Sequence, residues 1–124
     1  MISLSHGLKV FVCCQPTDMR RSFDRLCGQA QQVLKQDPLS GNLFVFRNRN
    51  RDRLKILYWD RDGLAIWYKR LEQGTYQFPS DLPSKDGQQC RAEITLEELS
   101  LLLGGIDLAS VRKRKRYERP NKPR

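Results

Sequence analysis

The order of apolar and polar positions divides the chain into a short series of elements. Leu8 to Cys14 is a brief run rich in Val and Phe that stops at Gln15-Pro16, the pattern of a largely buried strand. From Thr17 the spacing changes. Met19, Phe23, Leu26, Cys27, Ala30, Val33 and Leu34 recur at intervals of three and four, one stripe of an amphipathic helix over Asp18 to Lys35, with Thr17 or Asp18 as its cap. Asp37-Pro38 and Ser40-Gly41 end it and turn the chain.

Three β-rich segments follow closely, Leu43 to Arg47, Arg53 to Trp59 and Leu64 to Leu71, and predict a meander. Asp60-Arg61-Asp62-Gly63 suits a tight turn between the last two, whereas Asn48 to Asp52 is a longer, almost wholly polar link. Alternation in the middle strand sets Leu54, Ile56 and Tyr58 on a clean core face and Arg53, Lys55, Leu57 and Trp59 on the other. In the third strand both faces carry apolar area, and one of them is available to a partner.

Gly74 to Pro79 reads as a turn with a short extended piece, Ser80 to Gln89 as a polar loop, and Arg91 to Ile94 as one more strand. Thr95-Leu96-Glu97-Glu98 matches a capping box ahead of Leu99, Leu101, Leu102 and Leu103, and Gly104-Gly105 ends that short helix. The fold expected is α+β: an antiparallel sheet of three to five strands packed by one long helix, with a short C-terminal helix. Residues 1–111 form the single domain and 112–124 a disordered basic tail.

Charge sharpens this picture. The 124 residues hold 23 Lys and Arg against 14 Asp and Glu, a formal net charge of +9. Most of the excess lies in the tail, where eight basic residues face only Glu118, and a second concentration runs from Arg47 to Arg70. Such polarity steers polyanions toward one region. No apolar run reaches the ~20 residues needed to cross a bilayer, and the first residues show neither a basic nor a long apolar leader region. A cytoplasmic product without membrane contact is therefore expected.

Candidate chemistry is sparse. Cys13, Cys14, Cys27 and Cys90 lack paired C-x-x-C spacing and have only His6 for company, so reduced cysteines in or near the core are expected rather than a metal site. Asp60 and Asp62, helped by Asp18 or Asp52, are the best carboxylates for a divalent metal, yet the turn explains their spacing. No nucleotide-binding glycine loop is present. Neither a catalytic residue nor a cofactor is assigned.

The arginines carry more. Arg47, Arg49, Arg51 and Arg53 alternate with Asn48, Asn50 and Asp52 across the hairpin loop, and a guanidinium donates two parallel hydrogen bonds to a phosphate. With Lys55, Lys69, Arg70 and the tail residues Arg112, Lys113, Arg114, Lys115 and Arg116 they form the expected DNA-binding set. Trp67, Tyr76 and Phe78 are the expected protein-partner residues, the basis of an alternative in which the chain is an adaptor without DNA binding of its own.

A set of short motifs also points to a family. These are Pro16-Thr17-Asp18-Met19-Arg20, Asp37-Pro38-Leu39-Ser40-Gly41, Leu43-Phe44-Val45-Phe46-Arg47-Asn48-Arg49, Lys55-Ile56-Leu57-Tyr58-Trp59-Asp60, Asp62-Gly63 and Tyr68-Lys69-Arg70-Leu71-Glu72-Gln73-Gly74. Together with Leu99 to Asp107, this order resembles the TnpB accessory proteins of insertion sequences of the sixty-six family. The resemblance implies a small non-catalytic protein encoded beside a larger transposase and needed for efficient transposition, with the element's DNA ends and that transposase as partners. One departure is Ser22 and Arg25 around Asp24-x-Leu26, where the family usually carries small residues.

Overall fold

A computed structural model describes residues 7–78, 91–104, 106–107 and 112–113. Its elements are β1 (Val10–Cys13), α1 (Phe23–Gln32), β2 (Leu43–Arg47), β3 (Arg53–Asp60), β4 (Gly63–Arg70), β5 (Arg91–Ile94), α2 (Leu96–Gly104), β6 (Ile106–Asp107) and β7 (Arg112–Lys113). His6, Cys90, Gly105, the expected loop Ser80 to Gln89 and the tail beyond Lys113 lie outside the described residues.

The class is α+β, with a five-stranded sheet in the order β4-β3-β2-β1-β5. Two features of the expected architecture are corrected. The sheet is mixed: β1 and β2 run parallel, Val10 opposite Leu43 and Val12 opposite Val45, while the other neighbours are antiparallel. A parallel pair needs a crossover between its strands, and α1 supplies it. The helix is also short, 10 residues rather than the span from Asp18 to Lys35.

Local bonding explains the shortened helix. Thr17 and Asp18 do not cap it: the Thr17 hydroxyl accepts from Gln29 Nε2 at 2.7 Å, and the Asp18 carboxylate accepts the Arg20 backbone N–H at 2.9 Å. Such side-chain bonds hold a turn where a helix would otherwise begin. Ser22 takes the N-cap position with extended backbone, and Asp24 stands in the first turn, where the helix dipole favours an anion. At the other end Gln36 N–H donates to Ala30 O at 3.0 Å while Lys35, two residues past the C-cap Val33, adopts φ 56°, a left-handed turn that carries the chain off the helix.

The sheet carries a core on each face. On one, Phe11, Cys13, Phe44, Phe46 and Leu57 pack with Leu26, Ala30 and Leu34 of the α1 region. On the other, Val10, Val12, Leu43, Val45, Leu54 and Ile56 pack with Tyr76 and with Leu99 and Leu102 of α2. The inner strands are thus apolar on both sides, which is why Val10 to Cys13 is a continuous apolar run. Each fully buried Leu or Ile contributes about 1.5–3 kcal/mol.

The capping box forms as expected: Glu98 N–H donates to Thr95 Oγ1 at 3.0 Å, and Thr95 N–H donates to Glu98 Oε1 at 2.8 Å. The β3–β4 hairpin closes where expected, with Asp60 opposite Gly63. Its left-handed backbone falls on Arg61, at φ 60°. Among the described residues no helix is long and apolar enough to cross a membrane.

Candidate nucleic-acid interface

The link between β2 and β3 is the most structured polar segment of the chain. Asn48 organises it through one side chain: its Oδ1 accepts the backbone N–H of Asp52 at 3.1 Å and of Arg53 at 3.0 Å, and its Nδ2 donates to Asp52 Oδ1 at 2.6 Å. The backbone closes around it, Arg51 N–H bonding Asn48 O and Asn48 N–H bonding Arg53 O. Arg51 sits at φ 58°, a left-handed conformation that a non-glycine residue holds only where its surroundings demand it.

The loop is also tied to its surroundings. Leu71 N–H donates to Asp52 O and Tyr76 N–H to Arg51 O, both at 2.7 Å, and Thr17 N–H donates to Arg47 O, also at 2.7 Å. Tyr76 is fully buried, so the loop is anchored to the backbone of a residue held in the core. The guanidiniums that project from this loop therefore start from a fixed backbone.

The expected DNA-binding residues separate in space. Arg49 and Arg51 are exposed and Arg53 is half-buried, and among the described residues none of the three has an ion-pair partner. Arg70 lies directly across from Arg53 and is bonded to Glu72 at 2.8 Å. Lys69 is exposed but points to the opposite face of the sheet, as its pairing with Leu54 requires.

Two of the expected residues are engaged within the fold. Arg47 turns inward: its guanidinium donates to Cys14 O at 2.6 Å and to Asn48 O at 3.3 Å, lies 6.0 Å from the Phe78 ring, and has its pKa lowered by burial and by the nearby Arg51. Lys55 is 7% exposed, and its ammonium donates to Arg21 O at 2.7 Å and lies 4.7 Å from the Tyr68 ring centroid. Burial lowers its pKa. Neither is free to meet a phosphate from solution. In the tail, Arg112 and Lys113 are extended chain paired with Asp107 and Ile106, and Arg114, Lys115 and Arg116 lie outside the described residues.

The expected protein-partner residues pack against the fold to different degrees. Tyr76 is interior, its hydroxyl donating to Lys69 O at 3.4 Å. Trp67 and Phe78 are half-buried against the core that α2 covers. Of the three, only Tyr76 is fully interior.

The structure adds residues that periodicity did not single out. The turn Thr17 to Arg20, the loop residues Asn48, Arg49, Asn50 and Arg53, and Tyr68 of β4 line an open groove of about 450 Å³. Within it Asp18 and Arg20 form a bidentate pair at 2.7–3.1 Å, although the Arg20 side chain is 91% exposed. The side-chain hydrogen bonds from Arg20, and then its backbone N–H, hold the Asp18 carboxyl at about 2, and the same contact raises the Arg20 pKa. In the sequence this segment stands out as the expected start of the helix, as the motif Pro16-Thr17-Asp18-Met19-Arg20 and, at Asp18, as a carboxylate that could help a metal site.

The carboxylates do not assemble. Asp60 and Asp62 lie at the tip of the β3–β4 hairpin, at the far end of β3 from Asp52, ~26 Å away at the rise of an extended strand. Asp18 and Asp52 are engaged with Arg20 and Asn48. Among the described residues no group of three or more His, Cys, Asp or Glu is placed to hold a metal ion. Cys13 is buried, Cys14 and Cys27 are half-buried, and none of the three is in a disulfide among the described residues. Burial and then the nearby Asp24 push the Cys27 pKa up, away from reactivity.

Comparison with known proteins agrees with the motifs. The chain is 42% identical over 98% of its length, and 98% of the relative's, to the uncharacterized protein y4jC of Sinorhizobium fredii (strain NBRC 101917 / NGR234). It is 37% identical over 86% of its length, and 88% of the relative's, to the uncharacterized protein y4hO of the same organism. No solved structure matches. The sequence model described as "IS66 Orf2 like protein" matches residues 8–113, which include the groove, the loop and both helices, and the chain belongs to that family of transposition-associated proteins.

Proposed function

We propose that this protein is a non-catalytic accessory factor of DNA transposition that binds DNA phosphates through the β2–β3 loop and the basic tail and works beside a separate transposase. The observation that carries this reading is the state of Arg49, Arg51 and Arg53. They project from a loop fixed by Asn48 and Tyr76, and no carboxylate among the described residues neutralises them. Arg20 and Arg70 lie beside them, each already paired with a carboxylate, Asp18 and Glu72 respectively. A polyanion gains from such a rim through Coulomb attraction and counterion release without any base being read.

The adaptor alternative is weaker because its anchors, Tyr76 above all, face inward. A mobility-shift assay on the element's terminal inverted repeats, with random duplex as competitor, tests the reading. Binding is expected from the full chain and loss of it when Arg49, Arg51 and Arg53 become Gln and Arg112 to Arg124 are removed together. Undiminished binding by that variant would overturn the reading.

A further inference from the structure

We infer that the groove between Thr17–Arg20, the β2–β3 loop and Tyr68 seats one unpaired nucleotide of a DNA strand, its base on the Tyr68 ring and its phosphate between Arg49 and Arg53. This rests on the DNA-binding reading and adds a strand preference to it.

Tyr68 is the first reason. It is 48% exposed on β4, while Phe11, Phe44 and Phe46 of the same sheet are buried. Its ring is nevertheless not loose. The Lys55 ammonium, bonded to Arg21 O, lies 4.7 Å from the ring centroid and is itself 7% exposed, so it holds the ring from the protein side. The solvent side remains open to another flat group. A pre-set aromatic platform loses little freedom when a base stacks on it, and such stacking is tolerant of base identity.

The groove's size and lining select the same ligand. About 450 Å³ suits one nucleotide-sized group. In an intact duplex the base faces are covered by their neighbours and cannot stack on a side chain that lines a groove. Arg49 and Arg53 stand along one wall without ion-pair partners among the described residues. The one carboxylate in the groove, Asp18, is already bridged by Arg20 and does not stand as a free negative charge against a phosphate.

Fluorescence anisotropy with a short oligothymidine and a duplex of equal length, at one salt concentration, tests this on the full chain. The wild type is expected to bind the single strand more tightly. Tyr68→Leu keeps the bulk over Lys55 but removes the stacking face, and should lower the ratio of single-strand to duplex affinity about tenfold, whereas Tyr68→Phe should retain it. An unchanged ratio in Tyr68→Leu, or an equal fall in Tyr68→Phe, overturns the inference. If the wild type binds duplex through Arg49 and Arg53 with no preference for the single strand, the groove assignment fails and the DNA-binding reading stands. If it binds neither probe, both fail.

Discussion

Arg53 and Arg70 stand directly opposite each other in the β3–β4 register, on the face of the sheet that α1 covers, and Glu72 is bonded to Arg70 alone. Like charges so placed destabilise a strand pair by about 0.2–1 kcal/mol. A protein that keeps such a pair gains when an anion arrives between them. Arg53→Gln should therefore raise stability in urea unfolding by about 0.2–1 kcal/mol while weakening DNA binding. A variant that lost both stability and binding would mean that Arg53 is a packing residue.

Asn48 sets the geometry of the arginine loop. Asn48→Ala removes two bonds to backbone N–H groups and one to Asp52, and should cost about 1–3 kcal/mol of stability. DNA affinity should fall as well, although Asn48 carries no charge, because Arg49 and Arg51 would no longer leave from a fixed backbone. Unfolding midpoints and binding isotherms of the same variant check both parts. Full stability in Asn48→Ala would contradict the loop's description.

The Asp18–Arg20 pair gives a pH signature. The folded-state pKa of Asp18 is depressed from its ordinary 3.8 to about 2, so its contribution to stability is complete above the ordinary value and is lost as pH falls through about 2. The pair is exposed, so solvent screening keeps the effect small. An NMR titration of the Asp18 carboxyl should show a midpoint at about 2 in the wild type and a rise toward 3.8 in Arg20→Gln. A wild-type midpoint near 3.8 would show that the pair does not form in solution.

Much of the fold was legible where one local pattern had one structural meaning. Thr95 and Glu98 bond reciprocally as their spacing requires, and Asp60 to Gly63 close a hairpin. The parallel pairing of β1 with β2 was not legible, because strand direction is decided by the path of α1 and leaves no mark on either strand. The helix start was misplaced because Thr17 and Asp18 are good caps that here bond Gln29 and Arg20.

The site was legible in its residue types and not in their directions. Arg47 and Arg53 bracket the same loop, yet one donates to Cys14 O while the other lines the groove. Lys55 alternates with apolar neighbours as a surface residue would, but its stem is long enough to carry the ammonium to Arg21 O. Groove residues Thr17 to Arg20 and Tyr68 come from segments far apart in sequence, and only the folded sheet brings them together.

The central claim, that the loop guanidiniums meet phosphates, is tested most directly by the salt dependence of duplex binding. Each phosphate contact adds about 0.9 to the slope of log affinity against log salt, so changing Arg49, Arg51 and Arg53 to Gln should reduce that slope by about 3 and weaken binding on specific and random duplex alike. A triple variant with the wild-type slope and affinity would contradict the account.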